Sequence, residues 1–155
     1  MTEEIVEQRV MKVIVFQLMD KEYAIGIDVV TTIEKVLSIT RVPNTPSHVR
    51  GVINLRGVIT PIVDLRTRFG LEPRPLDDET RIIIVSMEDF DVGLVVDAAN
   101  DVIDIPEDAI EPQPEVVGTV ESEFISGVAK VGRRLFVLLN LEKVLQPVKR
   151  VSTDD

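Results

Sequence analysis

The amino-acid sequence predicts an all-β protein built from two similar small units. Three observations carry this. Val and Ile dominate a hydrophobic content of 45%, and β-branched side chains suit a pleated, half-buried surface. Apolar runs of strand length are separated by Gly, Pro, Asn and Asp clusters, the punctuation of hairpins. The chain also echoes itself. Residues 12–36 lie on 81–105 without a gap, and 51–69 lie on 127–145, in the same order. Lys12 falls on Arg81, Asp28 on Asp97, Gly51 on Gly127 and Asp64 on Asn140. Alternating strands also align by chance, so strand pairing is what tests the echo. Internal similarity of this kind points to a repeated unit, and small antiparallel units close into barrels to remove exposed edges.

Each element follows from local pattern. Residues 12–18 form a strand, Met19 to Glu22 a turn, and Tyr23 to Ile27 a returning strand. Asp28 caps a short helical turn over Val29–Thr31, and Thr32–Val36 extends again. Residues 43–48 form a loop in which Thr45 before Pro46 reads as a helix N-cap with proline at the first helical position. A hairpin over 51–63 reverses at Asn54-Leu55-Arg56-Gly57, where Gly57 takes a positive φ at no steric cost. Pro61 cannot donate to a ladder, so its strand is expected at an edge or a bulge. Asp64–Phe69 makes a short helix ending at Gly70.

After a polar connection, residues 81–87 and 92–96 form a second hairpin, and 99–105 a further strand. Residues 106–122, with Pro106, Pro112, Pro114 and Gly118, read as a long loop. A third hairpin runs from Ile125 to Leu139 and turns near Gly132. Asn140 caps a last helix, 141–146, which Pro147 ends.

Composition limits the function. A chain of 155 residues suits one domain or two very small ones sharing a core. A net charge of −10, with 4% aromatics and no Trp, argues against nucleic acid and against anionic membrane surfaces. Without cysteine there is no disulfide framework, thiol catalysis or thiolate metal site, which fits a reducing compartment. The acidic N-terminus lacks an apolar signal core, and no apolar run reaches 18 residues, so the expected location is cytoplasmic. The charge is uneven. Residues 41–74 carry six arginines against Asp64 and Glu72, whereas 75–125 carry fifteen carboxylates against Arg81. Such asymmetry either steers partners or marks solvated loops.

The sequence holds few residues arranged for catalytic chemistry. His48, the only histidine, has no serine elbow or cysteine partner, and one histidine does not make a typical zinc site. There is no Gly-rich phosphate loop, and Asp77-Asp78-Glu79 lacks calcium-loop spacing. No cofactor or metal is expected. A small hydrolase using Asp64 or Asp97 is the competing class, although capping is the plainer role for both. Arg56 on a rigid hairpin suits bidentate recognition of a carboxylate, or is simply a solvated tip charge.

Taken together, Val15-Phe16, Glu22-Tyr23-Ala24-Ile25, Arg41-Val42-Pro43 with Pro46, Gly51 to Gly57, Pro61 to Arg66, and Val92 to Asp97 with Val102 resemble the CheW family of chemotaxis coupling proteins. The resemblance covers about residues 12–146, and the domain is expected over 12–148, between an N-terminal tail (1–11) and a C-terminal tail (149–155). It implies two intertwined five-stranded β-barrels with short helices and an apolar crevice between them. It implies a non-enzymatic scaffold, monomeric when free, that couples the regulatory domain of the histidine kinase CheA to chemoreceptor tips, without membrane insertion. Carried over residue by residue, Arg56 is the hairpin arginine of that coupling, beside Asn54 and flanked by Gly51 and Gly57. Val30, Thr32 and Val102 fall where partner contacts are placed. Several relatives carry glutamate where this chain has Thr32, and Glu34 shares its face only if the strand is regular. Val30 and Val102 serve either interface or core. The same fold in an array of a different pathway is the alternative within this class.

Overall fold

The structure, a computed structural model, describes residues 9–36, 38–112, 116–117 and 120–146. Strands β1 (Val10–Leu18) and β2 (Lys21–Gly26) are followed by a 3-10 turn at Ile27–Val29 and β3 (Val30–Lys35). The hairpin β4 (Val49–Leu55) and β5 (Val58–Asp64) leads into α1 (Leu65–Arg68). Next come β6 (Arg81–Ser86), β7 (Asp91–Val96), β8 (Ala98–Pro106), a 3-10 turn at Glu107–Ala109 and the short β9 (Ile110–Glu111). A small ribbon of β10 (Val116–Val117) and β11 (Val120–Glu121) precedes a 3-10 turn at Ser122–Phe124, then β12 (Ile125–Val131), β13 (Arg134–Leu139) and α2 (Leu141–Val144).

Two sheets hold all of these strands except the β10–β11 ribbon, which stands by itself. One has the order β8-β1-β2-β13-β12-β9, the other β3-β6-β7-β5-β4. The echo in the sequence equates β1, β2, β3, β4, β5 and α1 with β6, β7, β8, β12, β13 and α2. Substituting equivalents turns the second order into the first, apart from β9. The third strand of each unit is exchanged: β3 pairs with β6, and β8 pairs with β1. This exchange is what intertwines the two halves. Registers repeat as well. The bulge in β3 between Val30 and Thr32, opposite Val85 and Ile84, has its counterpart opposite Phe16 and Val15, which pair with Ala99 and Asp101. The shift between Val49 and Gly51 recurs between Ile125 and Gly127.

Three apolar clusters explain why so many strands are continuously apolar. On β6, Ile83 and Val85 join the largest cluster, whereas Ile82 and Ile84 join the one belonging to the second sheet. On β1, Ile14, Phe16 and Leu18 join the largest cluster, whereas Val13 and Val15 join that of the first sheet. Successive side chains point to opposite faces of a strand. Each sheet therefore curls around its own small core while its other face packs on the shared one. The apolar interval between the two units is filled by this shared cluster. Its spine is a run of rings, Phe16–Tyr23 at 5.9 Å, Tyr23–Phe69 at 5.8 Å and Phe69–Phe124 at 5.5 Å between centroids. Arg68 at the end of α1 clamps the halves from outside the stack. Its Nε donates to the Val144 carbonyl at 2.8 Å, and its guanidinium lies 4.9 Å from the Phe124 ring centroid.

Several local expectations are corrected. Val10 and Met11 belong to β1, not to a tail, because β8 extends far enough to pair them with Pro106 and Ile105. Asp28 lies inside the 3-10 turn, and Gly26 precedes it without a side-chain cap. Thr45 starts no helix; its hydroxyl donates to the Val42 carbonyl at 3.0 Å and closes a turn. Part of the supposed 106–122 loop is strand and 3-10 turn. Pro61 sits on an interior strand. It faces Val52, whose own N–H and carbonyl point away to Thr40, so the Val52–Pro61 pair exchanges no ladder bonds. Pairing with β7 begins only at Ile62, so proline forfeits no donor.

Both helix caps fall where expected. Asp64 Oδ1 accepts from the Arg66 N–H at 3.0 Å, and Asn140 Oδ1 accepts from the Lys143 N–H at 3.3 Å. Pro147 and the residues of the two tails up to 8 and from 149 lie outside the described residues.

Candidate functional site

The β4–β5 hairpin turns through Arg56 and Gly57, between the paired Leu55 and Val58. Arg56 has φ 54° and Gly57 φ 87°, the two positive values that a tight type I′ reversal needs. Asn54 fastens the turn, its Oδ1 accepting the Gly57 N–H at 2.8 Å. A positive φ is costly for an arginine, because Cβ crowds the backbone. The equivalent position of the β12–β13 hairpin is Gly132, with φ 62°. The left-handed first residue of the turn is thus glycine in one unit and arginine in the other, although Arg133, unlike Gly57, has no positive φ and the second turn is not type I′. Backbone preference does not select Arg56; its exposed side chain is what the position presents.

Two apolar residues beside it were missed in the sequence reading. Val58 and Ile59 are 54% and 59% exposed. They sit in a Val/Ile strand that reads as core throughout. The available signal was their adjacency to the turn, beyond the point where β7 covers β5. The tip therefore combines a cation with an exposed apolar pair.

Gly51 is buried, with φ 147°, and a Cβ there would lie 2.1 Å from the Thr40 carbonyl oxygen. Its part is to let residue 40 bridge to Val52 and close the sheet edge. On β3, Val30 is half-buried and packs on the shared core. The strand is regular after its bulge, so Thr32 and Glu34 share a face, and the threonine hydroxyl donates to Glu34 Oε2 at 3.1 Å. Ile33 between them is 39% exposed. Val102 is 50% exposed on β8, the edge of the other sheet, at the position equivalent to Ile33. The structure thus gathers Asn54, Arg56 and Gly57 at one tip. Val30, Thr32 and Glu34 lie at the opposite end of the strand order, and Val102 lies in the other sheet.

The carboxylates considered for catalysis are committed to structure. Asp64 caps α1 and pairs with Arg50 at 3.2 Å. Asp97 receives Arg66 through Nε at 2.8 Å and Nη2 at 2.6 Å, the Met19 N–H at 2.8 Å, and Arg74 at 3.2 Å. Burial pushes its carboxyl up, but Arg66, Met19 N–H and Arg74 outweigh that and hold it below the usual range. Among the described residues no three His, Asp or Glu side chains converge as metal ligands, and no helix is long and apolar enough to cross a membrane.

His48 is buried, and its Nε2 has no hydrogen-bond partner among the described residues. Burial, then the charge of Arg68, lowers its pKa. The unfolded chain therefore binds this proton more readily, and stability falls as pH drops below about 6.5, the ordinary histidine value. Denaturant melts between pH 7.5 and 5.5 should show this loss, and His48→Gln should flatten it. An unchanged slope in the variant would assign the loss to other groups.

A doubled β frame whose exposed candidates lie on a hairpin tip and strand edges has the layout of a binding module. Comparison with known proteins is specific. The profile of the CheW-like domain matches residues 12–149. The chemotaxis protein CheW of Bacillus subtilis is 46% identical over 134 residues, covering 86% of each chain. That of Klebsiella aerogenes is 36% identical, covering 92% of this chain and 86% of that protein. The crystal structure of the scaffolding protein TtCheW from Thermoanaerobacter tengcongensis superposes with a TM-score of 0.84 at 37% identity, covering 92% of this chain and 97% of that one. The chain belongs to the CheW-like family and is a chemotaxis scaffold of that fold.

Proposed function

We propose that this protein couples the regulatory domain of the histidine kinase CheA to the cytoplasmic tips of methyl-accepting chemoreceptors. It acts in the cytoplasm, recruited to membrane-associated receptor arrays, and is monomeric when free. The single observation that carries the assignment of the contact surface is Arg56. It holds a left-handed turn position that the equivalent hairpin gives to Gly132, and backbone strain at such a residue points to a use for its side chain. Val58 and Ile59 supply the apolar part of that contact, Asn54 and Gly57 hold the tip in shape, and Gly51 fixes the hairpin at its base. Thr32, Glu34 and Val30 form a second contact on the β3 edge, and Val102 a third on β8. Family membership supports the partners. Rigid sheets present these groups at low entropic cost, and signalling requires that the contacts differ between kinase states.

Arg56→Ala tests this. The variant should melt within about 2 °C of the parent, since a surface change costs up to about 0.5 kcal/mol. Affinity for kinase or receptor fragments should fall roughly 10- to 150-fold, because a charge-assisted contact worth about 1.5–3 kcal/mol is lost. Arg56→Lys should recover only part, as an ammonium lacks the planar fork. A drop of many degrees would make Arg56 a brace of the fold. A normal melt with parental binding and kinase activation would make it a solvated tip charge.

A further inference from the structure

The two units repeat strand for strand, so the places where they differ chemically are informative. One such difference lies at the mouth of the second sheet. A cleft of about 900 Å³ opens there between the 39–47 segment and the connection after α1, lined by Arg41, Arg50, Asp64, Ile39 and Leu76 among others. Ile39 and Leu76 pack on the small core of that sheet, so the floor is apolar. Two guanidiniums line the same space. Arg50 is 33% exposed, with only Nη1 engaged, by Asp64. Arg41 is exposed and makes no hydrogen bond or ion pair among the described residues. In the other unit the position of Arg50 is Ser126, and Asp64 is Asn140. The basic character is therefore a property of one unit and not of the shared fold.

The sign of the charge runs against the rest of the chain. The protein carries −10 overall, yet the charged residues lining this cleft, Arg41 and Arg50 against Asp64, are net positive. An acidic ligand finds its complement there against the sign of the whole chain. We propose that this cleft binds an extended acidic peptide segment of a partner protein. Arg41 and Arg50 would take side-chain carboxylates, and an intervening apolar side chain would lie on Ile39 and Leu76. Arginine suits this because its fork matches a carboxylate. The site lies apart from the Arg56 tip and does not depend on it.

The test is a backbone amide shift titration of the full chain with the blocked peptide Ac-Glu-Leu-Glu-Val-Asp-amide. Its neutral analogue Ac-Gln-Leu-Gln-Val-Asn-amide serves as the control. Saturable shifts should be confined to residues 39–50 and 64–76, weaken with added salt, and be absent with the analogue. Arg41→Glu should raise the dissociation constant roughly tenfold or more. Arg41 is exposed and unpaired, so this variant keeps the fold, whereas changing Arg50 would strip Asp64 of its partner. Arg56→Ala should bind the peptide as the parent does. Shifts elsewhere, equal binding of the neutral analogue, or unchanged binding by Arg41→Glu would overturn the proposal. So would inorganic phosphate at the same concentration giving the same shifts, which would make the cleft a small-anion site.

Discussion

Arg66→Ala will destabilise the protein by about 3 kcal/mol, the lower end of the cost of breaking a buried ion pair, because Asp97 keeps Arg74 and the Met19 N–H. At this chain length that is a fall of roughly 6–12 °C in Tm. The reason is position. The Arg66 and Asp97 side chains are 12% and 10% exposed, and the guanidinium is bonded to the carboxylate through two nitrogens. Its Nη1 also donates to the Glu72 carbonyl at 2.8 Å, which orders the chain after α1. Without Arg66, Asp97 keeps Met19 N–H and the more exposed Arg74. The charge is then only partly neutralised. The pH dependence should change as well. In the parent, the native carboxyl binds its proton less readily than the unfolded chain does. Its contribution is complete above the ordinary aspartate value of about 3.9 and is lost as pH falls below it. The variant should show a shallower acid limb. Chemical denaturation at pH 7 and across the acid range measures both. A Tm within about 2 °C of the parent would reduce the pair to a surface bridge.

Gly51→Ala will cost about 2–4 kcal/mol through a backbone clash. The new Cβ would stand 2.1 Å from the Thr40 carbonyl oxygen and 2.8 Å from its carbon, atoms that no rotamer change can move. Overpacking of this kind costs about 1–3 kcal/mol. It also pries apart two hydrogen bonds, Thr40 N–H to the Val52 carbonyl at 2.9 Å and Val52 N–H to the Thr40 carbonyl at 2.8 Å. Each is worth about 0.5–1.5 kcal/mol. Amide exchange should accelerate at Thr40 and Val52 before other strands open. Gly127→Ala is the internal control. Its Cβ would sit 2.8 Å from the Glu111 carbonyl oxygen, a milder conflict, so its effect should be smaller. Equal effects, or protected amides at 40 and 52 in the Gly51 variant, would show that the close approach relaxes freely.

Much of the local structure was legible because short-range chemistry dictates it. Gly57 demanded a turn, and Asp64 and Asn140, each followed by Leu, demanded helix starts. The self-similarity placed equivalent strands in equivalent order. Alternation put Thr32 and Glu34 on one face only on the condition of a regular strand, which the structure supplies after the bulge at Val30–Thr32. The errors were also local in origin. Thr45-Pro46 carries the residues of a helix start, but the chain there closes a turn through Val42 instead. Pro61 predicts an edge or a bulge because a missing donor usually costs a bond. Here its nitrogen faces neither β4 nor the paired part of β7.

What lay in the sequence, then, was the list of elements, their turns and caps, the repeat and the family motifs. These depend on conformational preferences and spacing within a few residues, and such preferences act whatever the rest of the chain does. Which partners the elements chose was settled only in three dimensions. Both β3 and β8 are strands of similar pattern, and nothing local says that each must cross to the other unit's hairpin. The outcome depends on which pairing buries both faces of β1 and β6 at once. The joining of Arg66 to Asp97, the burial of His48, the exposure of Val58 and Ile59, and the basic cleft beside Arg41 follow from that choice. They are sums over contacts between distant residues, and distance along the chain does not reveal them.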